Sequence, residues 1–297
     1  MTTTMAAAGA QAALDLDANL EFDTTHYNKV SDSKRNARDS STDMSGRVEA
    51  NFGARGNSGD AFVAVRASLL VKKDGDAAVD DMWVQFGNAR GDLKLGRFEA
   101  MDLFPLGKDT VVESALVNGY AAYQANALRG RFGSGYVHAA LGANLGQGLR
   151  AELGVVHGNE DGEVKGVRPA LEYRAGALTL RGGVESIRTV GMSGSDTGYG
   201  LSLGYAVSDD VKVNLNFAKR EDDSSVGANV IYGPAGLGVI HGRGKHSDER
   251  ITTVYAAYSF PLFDVPGATI TPALSLAKGD SDTATQAAFR IRINYAF

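Results

Sequence analysis

The sequence predicts an all-β protein: a single antiparallel β-barrel of about sixteen strands that spans a membrane. Three observations predict this fold. Apolar and polar residues alternate with a period of two along most of the chain. Glycine is frequent and proline is scarce, at 37 and 6 residues, which suits many turns and close-packed strands. Short and longer polar connections also alternate between the strands, as expected of a barrel whose two rims differ.

The composition excludes several function classes. The chain has no run of about 20 apolar residues that could form a transmembrane helix. Strands of a transmembrane barrel do not contain such runs, because apolar and polar residues alternate in them. It has no cysteine, which excludes disulfides, thiolate nucleophiles and cysteine-based zinc sites. The net charge of −5 argues against a nucleic-acid-binding protein. The five histidines show no metal-ligand spacing, so we expect neither a metal nor a cofactor.

The first twelve residues are small and weakly apolar, and they end in Ala10-Gln11-Ala12, the small-x-small pattern of a signal-peptide cleavage site. We interpret residues 1–12 as the residual tail of a signal peptide; a disordered leader is the alternative. Strand alternation starts immediately afterwards with leucines between acidic residues. One barrel domain is therefore expected to span residues 13–297.

The remaining elements follow in chain order. Residues 29–42 predict a loop and 53–59 a turn, with the second strand between them. A third strand, 62–72, and a hairpin of two strands, 82–86 and 93–97, precede the longest irregular segment, 98–124. The apolar content of that segment indicates that it is folded. The period of two then returns and continues to the last residue. Because residues 128–132 could form a strand of their own, counts of fourteen and eighteen stay open beside sixteen.

The alternation also separates the charged residues from the apolar ones. A charge facing lipid near the bilayer midplane costs roughly 2 to 4 kcal/mol, so the charged positions are expected to face the lumen. They are Arg47, Arg66, Arg150, Arg168, Arg174, Arg181, Lys212, Arg290, Arg292, Asp15, Asp17, Glu21, Glu49, Glu152, Glu172 and Glu185. Tyrosines on the opposite face are expected in interfacial girdles. Because sixteen strands enclose an aqueous lumen, the sequence predicts a passage for small hydrophilic solutes and ions.

Three stretches resemble Gram-negative outer-membrane porins: the acidic-faced opening strand after Ala10-Gln11-Ala12, residues 93–98, and the terminal residues 291–297. Residues 96–106 are most similar to the glycoporin-like branch of that family. The resemblance implies a location in the bacterial outer membrane, in contact with its lipid, and a homotrimer. It also implies passive diffusion of small hydrophilic solutes and ions, with sugars among the candidates.

The resemblance further implies that the long segment, about 98–124, is a constriction loop folded into the lumen. Its acidic residues would face a basic wall and set a transverse field that orients dipolar solutes. We predict that the loop contributes Glu99, Asp102, Asp109 and Glu113, and that the wall comprises Arg47, Arg66, Arg290 and Arg292. The alternative is that these charges are a solvated lining with no special role. Tyr295 and Phe297 are similar to the terminal signal that the barrel-assembly machinery recognises.

Two other functions stay open. A surface β-protein that displays its loops for adhesion would be soluble without detergent and would not conduct. A barrel lipid hydrolase would need Ser and His on the lipid-facing side. Residues 200–204 match the spelling of a nucleophile elbow, but they lie within an alternating strand, and Ser202 falls on the lumen face. We therefore predict no catalytic residue and no enzyme activity.

Overall fold

The computed structural model describes residues 13–30, 38–101, 130–243, 250–280 and 285–297. These residues form one sheet of seventeen strands, and every pairing in it is antiparallel. No helix in the described ranges is long and apolar enough to cross a membrane. The strands are β1 (Ala13–Val30), β2 (Arg38–Ser58), β3 (Ala61–Lys72), β4 (Ala77–Gly87), β5 (Gly91–Arg97), β6 (Val137–Gly146), β7 (Leu149–His157), β8 (Val164–Ala175), β9 (Leu178–Thr189), β10 (Asp196–Ala206), β11 (Val211–Arg220), β12 (Asp223–Tyr232), β13 (Ala235–Arg243), β14 (Arg250–Tyr258), β15 (Phe260–Pro261), β16 (Ala268–Gly279) and β17 (Gln286–Ala296).

The sheet closes on itself because β17 pairs with β1, where Arg292 lies opposite Asp23. The two-residue β15 is a continuation of β14. Both pair with β16 in one unbroken register, since Ala257 lies opposite Ala273 and Phe260 opposite Ile270. The barrel therefore has sixteen strand positions. The predicted count of about sixteen is confirmed, and fourteen and eighteen are wrong.

The two faces of the barrel follow the period of two in the sequence. Apolar side chains such as Leu16, Val65 and Leu201 lie on the outer face and are exposed. Polar side chains such as Ser202 and Asn229 lie on the inner face and are buried. This is the arrangement of a transmembrane barrel, in which lipid covers the apolar face.

The connections differ between the two rims. At the rim that holds Ala13 and Phe297, the two-residue connections are 59–60, 147–148, 176–177 and 233–234; we call it the short-turn rim. The opposite rim carries the longer connections 31–37, 98–136, 158–163, 190–195 and 244–249; we call it the long-loop rim. A barrel in the outer membrane places its short turns in the periplasm and its longer loops outside.

Several predicted boundaries are wrong. Strands β1 and β2 cover half of the predicted loop 29–42, and β2 also runs through the predicted turn 53–59 to Ser58. Polar residues continue both strands there because antiparallel pairing satisfies the backbone whatever the side chains are. The predicted longer connection 221–225 is a two-residue turn in which Glu221 has a φ of 49°.

Candidate functional site

Arginine and carboxylate side chains meet inside the barrel where it closes. Nε and Nη2 of Arg292 on β17 each donate to one carboxylate oxygen of Asp23 on β1, both at 2.8 Å. Arg290, two residues earlier, has Nη1 3.7 Å from the same carboxylate, and its Nε donates to Thr25 Oγ1 at 2.8 Å. Such bidentate, charge-assisted contacts hold a guanidinium in one orientation. Two arginines therefore share one buried carboxylate.

Glu21 extends this network to the next strand. Its carboxylate lies 3.3 Å from Arg292 Nη1 and 2.8 Å from Arg47 Nε, so it links β17, β1 and β2. We call Glu21, Asp23, Arg47, Arg290 and Arg292 the charged wall. Three of the four arginines expected to form a basic wall are thus brought together, each in contact with an acid on β1.

The fourth expected arginine, Arg66, faces inward from β3, where its Nε donates to Ser68 Oγ at 3.3 Å. Farther round the barrel the inward face carries more ion pairs. Arg150 Nη2 lies 2.7 Å from Asp92, and Glu172 binds Arg181 at 2.5 Å and Arg174 at 2.8 Å. From β17 through β1 to β9, charges of opposite sign therefore line the interior in contact with each other.

The inner face of β10–β14 has a different chemistry. Its central positions carry hydroxyl and amide side chains, including Ser202, Asn214, Asn216, Asn229 and Thr253, all of them buried. Asn214 Nδ2 donates to Asn229 Oδ1 at 2.7 Å. We call these five residues the neutral wall. Ion pairing on this side occurs near the long-loop rim, where Arg220 Nη2 lies 3.1 Å from Asp196. The inward-facing side chains are thus ionised on one side of the barrel and uncharged hydrogen-bonding groups on the other.

The long segment after β5 begins inside the barrel. Phe98 is fully buried and stacks on His138 of β6, with ring centroids 3.9 Å apart. The backbone N–H of Met101 donates to the carboxylate of Glu152 on β7, and Arg168 on β8 donates to the Met101 carbonyl oxygen. Both of these side chains face inward from their strands. Residues 98–101 therefore pass over the inner face of three consecutive strands.

The other end of the segment returns to the same place. Gly130 bridges to Glu99, and the backbone N–H of Arg131 donates to the Phe98 carbonyl oxygen at 2.8 Å. The Arg131 guanidinium lies 3.0 Å from Asp80, 3.2 Å from Asp81 and 3.8 Å from Glu99. Burial lowers the pKa of Arg131, and the three carboxylates together raise it by a larger amount. The pKa of Arg131 therefore lies above its ordinary value. The two ends of the segment are thus joined to each other and to the strands of the barrel.

Glycine is required at position 130, because φ is +128° there and an added Cβ would lie 2.0 Å from the Phe98 carbonyl oxygen. Of the predicted loop acids, Glu99 lies at this junction. The others, Asp102, Asp109 and Glu113, lie outside the described residues. The sequence analysis did not single out Asp23. Two signals could have found it: Asp23 belongs to the acidic first strand, and the first and last strands of a closed barrel are neighbours.

The two terminal aromatics expected to form a recognition signal lie at the short-turn rim, with ring centroids of Tyr295 and Phe297 5.0 Å apart. Phe297 also exchanges two backbone hydrogen bonds with Ala18 of β1, at 2.8 and 3.0 Å. Both aromatic side chains are exposed on the outer face. The terminal strand is therefore fixed to the first strand while its aromatic face stays accessible.

Comparisons with known proteins agree with this geometry. The sequence model of a family described as "Porin-like glycoporin RafY" matches residues 9–162, slightly more than half of the chain. No curated protein matches. Among solved structures, the anion-selective porin from Comamonas acidovorans is similar with a TM-score of 0.67 at 12% identity, covering 97% of this chain and 100% of the other. A mutant of the Rhodobacter blastica porin gives 0.66 at 13%, with 96% and 100% covered. The trimer form of the outer-membrane protein OmpT of Vibrio cholerae gives 0.64 at 11%, with 96% and 99% covered.

Proposed function

Because the chain belongs to the porin-like glycoporin RafY family of outer-membrane channels, we propose that it passes small hydrophilic solutes and ions, sugars among them, by passive diffusion. The observation that carries the proposal is the closed sixteen-strand barrel with a polar inner face. Sixteen strands leave room for water, and ionised and amide side chains keep an interior wet. Diffusion through such a lumen needs no cofactor and no catalytic step.

The charged wall is proposed to sort ions. Rings or clusters of charged side chains select ions by sign, and here three arginines share two carboxylates, which leaves the wall with a net positive charge. Arg66 would add to it from β3. The acids Glu99, Asp102, Asp109 and Glu113 are proposed to face these arginines across the lumen as a constriction loop. The position of residues 98–101 against inward-facing Glu152 and Arg168 supports a loop that continues into the lumen.

The neutral wall is proposed to serve uncharged solutes. Its hydroxyl and amide groups carry no charge, so a sugar that passes this side of the barrel has no ion to desolvate. A solute that passes between the two walls would meet an ionic side and a hydrogen-bonding side at once. This arrangement supports a general pathway for small polar solutes, with sugars as one class.

The assembly and targeting of the chain are part of the same proposal. We infer a homotrimer, as in the trimer form of the Vibrio cholerae protein, with outer-membrane lipid around it. Residues 13–297 are proposed to form the single barrel domain. Tyr295 and Phe297, accessible on the outer face, are proposed to present the terminal strand to the barrel-assembly machinery.

Single-channel recording of the refolded chain in a planar bilayer tests the proposal. Stepwise conductance is expected, with steps in groups of three for a trimer and a reversal potential in a salt gradient that favours anions. Swelling of liposomes that contain the protein, with sugars of increasing size outside, tests passage of uncharged solutes. A folded barrel that gives neither conductance nor swelling contradicts the channel and leaves the adhesion protein and the lipid hydrolase to be tested. A hydrolase would need an outward nucleophile, whereas Ser202 lies inward and buried.

A further inference from the structure

The outer face of the barrel carries charges of one sign at one rim. On β6–β17 no Asp or Glu occupies a described outward position, but six basic residues do. Each lies within two residues of a strand end, and every one of those ends belongs to the long-loop rim. They are Lys165, Arg188, Lys219, Arg243, Arg250 and Lys278. The lumen, in contrast, contains charges of both signs.

Four of these residues form a compact patch. Lys219 on β11 lies opposite Ser224, Ser224 opposite Arg243, and Arg243 opposite Arg250, so one row crosses four neighbouring strands. Three strand spacings separate its ends, a width of about 14 Å. In the next row toward the short-turn rim, Lys278 lies opposite Thr252, whose Oγ1 is 2.9 Å from His241 Nδ1. We call Lys219, Ser224, Arg243, Arg250 and Lys278 the basic patch.

The surface beneath the basic patch is apolar. The next row toward the short-turn rim contains Leu215, Ala228, Val239, Val254 and Leu276. Arginine and lysine are costly at the bilayer midplane but nearly free of cost at the interface, so this change of chemistry marks headgroup depth. The patch also places two arginines directly opposite each other, as Lys165 and Arg188 are elsewhere on this rim. Positive charge is therefore concentrated at these paired positions of the rim.

We propose that the basic patch binds the phosphate groups of a phosphorylated lipid in the outer leaflet. Arginine binds phosphate with two parallel hydrogen bonds, and clustered basic residues at headgroup depth recruit anionic lipids. A lipid fits better than free phosphate because acyl chains can lie on the apolar row below. The inference rests on the outer-membrane location of the barrel, with its long-loop rim outside.

Native mass spectrometry of the whole refolded barrel in detergent tests the proposal. The variant Lys219→Gln, Arg243→Gln, Arg250→Gln is compared with wild type and with a control of equal charge change, Lys73→Gln, Arg90→Gln, Lys212→Gln. The control positions lie in turns or in the lumen. The probes are bisphosphorylated lipid A, the same lipid without its phosphates, and inorganic phosphate. Each basic residue near an anionic lipid contributes about a factor of five, so the patch variant should lose about a hundredfold in affinity for lipid A.

Wild type and control are expected to bind lipid A equally, and no variant should retain the dephosphorylated lipid. Equal binding of lipid A by the patch variant would overturn the proposal, and so would equal binding of the dephosphorylated lipid by wild type. Inorganic phosphate that binds as tightly as lipid A would overturn the assignment to a lipid. The three substituted side chains face outward, so bilayer conductance of the patch variant should match wild type. A lost lipid site is thereby distinguished from a failed channel.

Discussion

The charged wall and the neutral wall face the same lumen but are built differently. In the charged wall Asp23 is in contact with two arginines, so each group has its orientation set by partners of opposite charge. In the neutral wall the hydrogen bond from Asn214 to Asn229 joins uncharged groups. Charge acts over the width of a pore, whereas a hydrogen bond acts only on contact. Ion selectivity should therefore depend on the charged wall, with a smaller contribution from the neutral wall.

The largest effect is expected from Asp23→Asn, which breaks the balance within the charged wall. Arg290 then loses the carboxylate 3.7 Å from its Nη1, and Arg292 keeps only its contact with Glu21, so the wall becomes more positive. The anion-to-cation permeability ratio should rise roughly twofold, measured as the reversal potential in a salt gradient. Arg292→Gln is the matched variant and should shift the reversal potential in the opposite direction. Shifts of the same sign in the two variants, with both barrels folded, would contradict the role of this wall.

A smaller effect is expected from Asn229→Asp, which places a charge on the neutral wall. The new carboxylate can still accept the hydrogen bond from Asn214, so the barrel should keep its fold. The reversal potential should shift in the direction of cation selectivity. The shift should be smaller than for Asp23→Asn, because the new carboxylate is added without leaving any arginine short of a partner. The same measurement with Asn229→Gln controls for a change in shape. A shift as large as that of Asp23→Asn would show that the two walls contribute equally.

The smallest effect is expected from Ser202→Ala. The substitution removes one buried hydroxyl from the neutral wall at a cost of about 1 kcal/mol and changes no charge. Conductance and reversal potential should match wild type. Hydrolysis of a lipid ester by wild type that disappears in this variant would support the enzyme alternative and contradict the channel as the sole function.

The alternation of residues predicted which side chains face the lumen, because a strand has no freedom to break its period of two without a bulge. Arg47, Arg290 and Arg292 were expected on one wall, and the structure brings them together through Glu21 and Asp23. Their partners were not predicted. The sequence contains many carboxylates, both on β1 and on the long segment. Which of them contact the arginines depends on the register between β1 and β17, and local sequence patterns do not contain that register.

The ends of elements were predicted less well than their existence. Residues 29–42 read as a loop because neither face there is apolar, yet β1 and β2 pair through Val30 and Arg38. A strand that extends beyond the hydrocarbon region has no need of an apolar face, so its side chains carry no signal. The contacts of Glu152 and Arg168 with the long segment were not predicted either, since both residues were expected only to line the lumen.

The closure between β1 and β17 also sets the order in which the molecule can form. The hydrogen bond from Arg290 to Thr25 joins residues 265 positions apart, and Phe297 bonds to Ala18 across the same seam. Neither contact can exist until nearly the whole chain has been made. Until then the first strand keeps an unpaired edge, a template for pairing with other chains. Contacts of such high sequence separation slow folding. The nascent protein therefore depends on protection of that edge until its last strand arrives.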